Sequence, residues 1–242
     1  MNIRSKFIIA FAIVFLLSCS PRRTEDNKIT PSADSISQIN AKNSSIKSVI
    51  YGEITGFSLS RSKLSYEKPD EFVAETYLLG KKRSEVASDG KNYWFWIESF
   101  DKDSLYFCRR DKIGTTRVKP PLHPFVIQGL AWVDEIKPES YRVTEHGLLA
   151  ALQESGVYSK EVVTDGEKIT EQHFFKEGSP VLSAKAHEFH EIEGIFLPKR
   201  MTLIWHEEGL SAEMSTDMVS INKKIPKVDM PRGLKMVSLE GH

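Results

Sequence analysis

A chain of 242 residues with 40% hydrophobic and 27% charged content can build a substantial core and is too apolar for wholesale disorder. Its formal charge is +0, and residues 1–18 carry Arg4 and Lys6 and no acid, so the remainder is slightly acidic and lacks the basic excess of a nucleic-acid partner. Two cysteines exclude a disulfide framework.

Arg4 and Lys6 precede an unbroken apolar run over residues 7–17. That run is short for crossing a bilayer and suits the core of a secretory signal. Leu16-Leu17-Ser18-Cys19 closes it and resembles a bacterial lipobox, which implies cleavage after residue 18 and lipidation of Cys19. Several acyl chains together anchor a protein stably where one alone is marginal. The rival reading is an ordinary signal peptide that carries a cysteine. Ser20, not Asp, follows Cys19, so the common inner-membrane retention signal is absent and an outer-membrane location facing the periplasm is expected. Residues 19–33, with mixed charge and almost no apolar side chains, read as a solvated tether, and residues 34–242 as the folded domain.

Ser32 or Asp34 would cap a helix over about 34–47, with Ile36, Ile39 and Ile46 as a thin apolar stripe. The period then changes to two. Residues 49–59 read as a long strand in which Gly52 and Gly56 mark a bend or a close backbone approach. Further strands follow over 63–66, 72–78 and 85–88, the first of them stopped by Lys68-Pro69. Asp89-Gly90 is a hairpin signal. The strand after it, 92–100, is apolar on both faces: Tyr93, Phe95 and Ile97 on one, Trp94 and Trp96 on the other. A sheet that is greasy on both sides has to be covered on both, by a second layer or a bound ligand. Residues 104–109 continue the meander, with Cys108 as a small buried hydrophobe among Leu105 and Phe107.

Pro120-Pro121 ends the meander. Residues 122–132 read as a short apolar helix with Pro124 in its first turn, and 147–152 as a helix or turn. Strands resume at 158–164 and 168–175 around Asp165-Gly166, then at 181–189 and 196–206 around Glu193-Gly194. Residues 210–221 close the set, with Leu210, Ala212, Met214, Thr216 and Met218 on one face. The expectation is a mainly β (α+β) domain: a curved antiparallel half-open barrel of about ten or eleven strands, with short helices covering the open side.

Chemistry is harder to find. His187 and His190 lack the His-Glu-x-x-His spacing of zinc hydrolases, and no metal is expected. No Gly-x-Ser-x-Gly elbow, phosphate-binding Gly loop or Cys-x-x-Cys occurs, so no catalytic residue and no cofactor is assigned. A hydrolase would need an acid–base pair brought together from distant positions.

Several weak motifs in order make the chain, over roughly residues 34–235, resemble the bacterial lipoprotein-localisation family of LolA and LolB. They are an early helix before a long strand, Lys68-Pro69-Asp70-Glu71-Phe72, Asp89-Gly90-Lys91 with Trp94, Ile221-Asn222, and Met230-Pro231-Arg232-Gly233. The resemblance implies an incomplete barrel closed by helices, with the acyl chains of client lipoproteins or lipids in an apolar cavity and a periplasmic carrier protein as a partner. Trp94, Trp96, Phe107, Trp132 and Met214 are the expected cavity-lining residues. Lys68 stands where the family's soluble carrier has the Arg that contacts the lid, and Lys cannot form the Arg fork. Leu78-Leu79-Gly80 matches the apolar loop of the family's membrane receptor, so Leu78 and Leu79 are expected to dip into the bilayer; the alternative is that they end a core strand. The expected function is a lipid-anchored periplasmic protein that holds or transfers acyl chains without a covalent step. The alternative is a sensor or scaffold lipoprotein that binds a protein partner through the same fold.

Overall fold

The computed structural model describes residues 33–56, 60–116, 123–136, 141–143, 149–151, 153–155 and 158–240. The signal segment, Cys19 and the tether lie outside them, as do residues 57–59 of the first strand and Pro120-Pro121. Among the described residues no helix is long and apolar enough to cross a membrane.

Helix α1 (Ala33–Ser44) comes first, and strand β1 (Ser48–Thr55) starts where the apolar period becomes two. Next come β2 (Ser60–Glu67), β3 (Glu71–Leu78), β4 (Lys81–Asp89), β5 (Asn92–Ile97) and β6 (Lys102–Arg109), then helix α2 (Pro124–Leu130). The short strands β7 (Tyr141–Val143), β8 (Leu149–Ala151) and β9 (Gln153–Ser155) follow. The second half holds β10 (Tyr158–Thr164), β11 (Ile169–Lys176), β12 (Ser179–Ile192), β13 (Ile195–Trp205), β14 (Leu210–Ile221) and β15 (Lys235–Ser238). Turn chemistry sets several joints. At the β4–β5 turn, for instance, Asp89 Oδ1 accepts from the backbone N–H groups of Lys91 (2.9 Å) and Asn92 (2.7 Å).

Thirteen strands form one sheet in the order β15-β6-β5-β4-β3-β2-β1-β14-β13-β12-β11-β10-β9. All neighbours are antiparallel except β15, which runs parallel to β6. Strands β1 and β14 pair at the middle, and the outermost strands, β15 and β9, do not meet, so the sheet is a curved barrel left open. Register shifts in β1 between Tyr51 and Ile54 bend it there. Just beyond, Gly56 has φ +136°, and a Cβ on it would lie 2.1 Å from the carbonyl oxygen of Glu213. Only glycine lets the two backbones approach so closely.

The expected ten or eleven strands are all present, and four more join them. Strands β7, β8 and β9 have three residues each, and β15 has four. Runs that short show no readable alternation. Residues 149–151, expected as helix or turn, form β8 and pair with β7. The expected strand over 92–100 ends at Ile97, and a single helical turn (Glu98–Asp101) follows.

The sheet is covered on both faces. On the inner face, Tyr93, Phe95 and Ile97 join one large apolar cluster with Ile36 and Ile39 of α1 and Phe125, Val126 and Ile127 of α2. On the outer face, Ala87, Trp94 and Leu105 form a smaller cluster, packed under Val228, Met230 and Leu234 of the chain that leads from β14 to β15. Cys108 is buried with the inner cluster, and burial pushes its thiol up to about 12, helped by the nearby Glu240 and Asp111 carboxylates.

Candidate functional site

The inner face of the barrel is filled by residues 124–136, which lie on the sheet as a separate layer. Pro124 opens α2, where its missing N–H costs nothing. His123 precedes it; its Nδ1 accepts from the Phe125 N–H at 3.2 Å, and its ring stacks on Tyr158 at 4.3 Å. Burial, then the Arg110 and Lys176 charges, lower this histidine to about 4, so the imidazole is neutral at neutral pH and free to accept. Gly129 lets the helix sit directly on β11: a Cβ there would fall 2.4 Å from a Phe174 ring carbon. Helix α2 ends at Leu130 with Ala131 as its cap, and the next residue, Trp132, has φ 64°, costly for a bulky side chain.

Polar ties hold this layer in place. Trp132 Nε1 donates to the Ile169 carbonyl (2.9 Å), Gln172 Nε2 to the Gly129 carbonyl (2.8 Å), and the Tyr51 hydroxyl to the Ala131 carbonyl (3.2 Å). On the other side, Asn43 Nδ2 donates to the Asp134 carbonyl at 2.6 Å, and Asn40 Oδ1 accepts from the Ile136 N–H at 2.6 Å. Helix α1 thus grips the layer from above. A buried ion pair joins these ties: Lys160 Nζ lies 2.7 Å from Asp134 Oδ2, with the two side chains 0% and 2% exposed. The lysine nitrogen also sits 5.3 Å from the Phe125 ring centre and 5.8 Å from that of Phe174. Separating these desolvated charges costs free energy, so the pair opposes movement of the layer off the sheet.

Between this layer and the sheet lies a void of about 50 Å³, lined by Tyr51, Ile54, Leu64, Leu130, Met201, Leu203, Met214 and Thr216. Thr216 buries its polar end by donating to the Pro198 carbonyl at 2.6 Å, which leaves the wall apolar. A cavity of roughly 150 Å³ is needed to take a molecule the size of benzene. The void is therefore an apolar gap in the interior, too small to be a ready-made fatty-acid site.

The residues expected to line a cavity do not come together. Met214 lines the void, and Trp132 belongs to the layer that closes the barrel. Trp94, Trp96 and Phe107 are a correction: all three lie on the outer face, Trp94 within the small cluster and the half-buried Trp96 and Phe107 packed against it. Trp94 Nε1 donates there to buried Glu85 (3.0 Å), and Trp96 Nε1 to the Lys102 carbonyl (2.9 Å). Alternation separates the two faces of β5 but does not say which one is concave. Lys68 Nζ donates to the Asn43 carbonyl at the end of α1 (2.8 Å) and pairs with Glu135 (3.0 Å). Leu78 and Leu79 sit at the tip of the β3–β4 hairpin, 36% and 78% exposed. Leu79 has φ 51° and Gly80 φ 77°, the backbone of a tight two-residue hairpin turn.

Among the described residues no three His, Cys, Asp or Glu side chains could hold a metal ion. His187 Nε2 bonds the Thr202 hydroxyl and His190 Nε2 the Thr216 carbonyl, so the two rings serve different neighbours. Sequence reading overlooked Lys160 and Asp134. A signal for the first exists: alternation along 158–164 puts Lys160 on the same face as Val162 and Thr164, a lone charge among inward positions. Asp134 lies in irregular chain and carries no such signal.

No family model matches the chain, and no curated protein matches it. Among solved structures it is similar to a domain described as an outer membrane lipoprotein-sorting protein from Vibrio parahaemolyticus, at 11% identity and TM-score 0.48, covering 80% of this chain and 93% of that one. It is also similar to a LolA superfamily protein from Nitrosomonas europaea, at 11% identity and TM-score 0.46, covering 79% of this chain and 94% of that one. A DUF1329 family protein from Desulfovibrio piger matches at 12% identity and TM-score 0.44, covering 80% and 92%.

Proposed function

We propose that this protein is a lipid-anchored periplasmic carrier or receptor that holds the acyl chains of lipoproteins or lipids against the inner face of its barrel. The supporting observation is the layered interior. An apolar sheet face is covered by residues 124–136, which form no strand in that sheet, and the two leave an apolar void between them. An acyl chain enters by displacing this layer and taking over its contacts with the sheet. Each methylene buried contributes about 0.8 kcal/mol, so a long chain offsets the loss of several aromatic and aliphatic contacts. Lys68, which bonds both α1 and Glu135, would close the layer again once the chain leaves. Cys19 would supply the anchor.

The test is lipid extraction from purified protein followed by mass spectrometry, together with titration of a fluorescent fatty acid. Extracted acyl lipid, or saturable uptake, is the expected result. The second reading, a sensor or scaffold that binds a protein partner, is favoured by the smallness of the void. It predicts neither lipid nor uptake.

We further propose that Leu79 delivers the chain to the membrane. An exposed leucine at a hairpin tip loses apolar surface to the lipid on contact, and Lys81 beside it suits anionic headgroups. Leu79→Glu should lower the rate of fatty-acid transfer to vesicles by about tenfold or more, given the cost of burying a charge in lipid. Its urea midpoint should not move, because the side chain has little to lose in folding. Unchanged transfer would refute the insertion role.

A further inference from the structure

The outer face of the second half of the sheet carries a cluster that acyl binding does not use. Strands β11, β12 and β13 lie side by side, and their register sets Ser183 opposite His173 on one side and Ile204 on the other. Ser183 Oγ is 2.8 Å from His173 Nδ1 and 2.7 Å from His206 Nε2. His173 Nε2 in turn lies 3.3 Å from Glu171 Oε2. The proton order follows from these partners. A carboxylate only accepts, so His173 carries its proton on Nε2 and leaves Nδ1 to accept from the Ser183 hydroxyl. With its own proton committed, Ser183 Oγ accepts from His206 Nε2–H. The bond from His173 holds Glu171 down to about 2, with burial opposing and Lys185 reinforcing, so the orienting carboxylate stays ionised at neutral pH.

We propose that Ser183 is an activated nucleophile and that this face cleaves carboxylic esters with apolar acyl groups. A hydroxyl bonded to a base, itself oriented by a carboxylate, is the general arrangement for nucleophilic acyl transfer. Ser183 is 8% exposed, and Ile204 beside it, at 38% exposed, offers an apolar surface for the acyl part. In the first step Oγ bonds to the ester carbon while its proton passes to His173 Nδ1. His206 Nε2–H turns from Oγ to the developing oxyanion. The bond to the alcohol oxygen then breaks, and the alcohol leaves with the proton from His173. Water attacks the acyl-serine and gives one proton to the same nitrogen; the carbon–Oγ bond then breaks, Oγ takes that proton back from His173, and the acid leaves.

The site lies on the face opposite the void, so it stands or falls independently of acyl carriage. An alkyl fluorophosphonate, followed by intact mass and peptide mapping, tests it on the full chain. The expected result is one phosphonyl group on Ser183 with loss of fluoride, and labelling slowed about a hundredfold in His173→Gln, the typical worth of a general base. With p-nitrophenyl butyrate, Glu171→Gln should lower kcat with little change in KM, because the carboxylate acts through His173 and does not touch the ester. Wild-type protein unlabelled at Ser183, or His173→Gln labelled at the wild-type rate, overturns the proposal.

Discussion

Replacing Lys160 by Met should lower the unfolding free energy by about 3–5 kcal/mol, read from urea titration, because it leaves Asp134 charged and alone in the interior. The lysine is fully buried and the aspartate almost so, with 2.7 Å between the charged atoms. Water cannot reach the carboxylate once its partner is gone, and the Phe125 and Phe174 rings that flank Lys160 offer it nothing. Changing Asp134 to Leu in the same protein should recover most of the loss, since two apolar side chains of similar volume need no pairing in that site. The double variant separates two roles of the pair. If it is stable yet takes up fatty acid faster than wild type, the ion pair acts as a catch on the covering layer. A neutral single variant would mean that the two charges are hydrated and that the interior is more open than the structure has it.

The pair also shows where sequence reading reaches its limit. Hairpins were legible because their signals are local: Asp89-Gly90, Asp165-Gly166 and Glu193-Gly194 all mark turns, each with a positive-φ glycine. Strands of six or more residues were legible from alternation, as at 158–164 and 210–221, whose bounds agree with β10 and β14. What a face looks toward is not local. Concavity is a property of the whole sheet, fixed by the bend in β1 and by the pairing of β1 with β14 across 150 or so residues of chain, and no window of sequence contains it. The same holds for Ser183 of β12, His173 of β11 and His206 just past the end of β13, which meet only because the register of these strands aligns them. Sequence reading looked for an acid–base pair and had no means to align them.

The two faces of β5 make the second prediction. Trp94→Ala should cost about 3–5 kcal/mol of stability, the usual range for truncating a buried aromatic, and leave fatty-acid uptake per folded molecule unchanged. Trp94 is 0% exposed under Val228, Met230 and Leu234, and its indole N–H satisfies buried Glu85. Removing the ring empties the outer cluster and takes a donor from the carboxylate, although Lys82, 2.7 Å from the other oxygen, keeps it paired. Met214→Trp should behave in the opposite way. Met214 borders the apolar void of about 50 Å³, and a larger ring there fills that void at an overpacking cost of about 1–3 kcal/mol. Fatty-acid affinity should then fall at least about tenfold, which corresponds to 1.4 kcal/mol of lost burial. Calorimetry on both variants, beside the same fatty-acid titration, decides the matter. Loss of uptake in Trp94→Ala with Met214→Trp unaffected would place the acyl chain under the C-terminal segment and not inside the barrel.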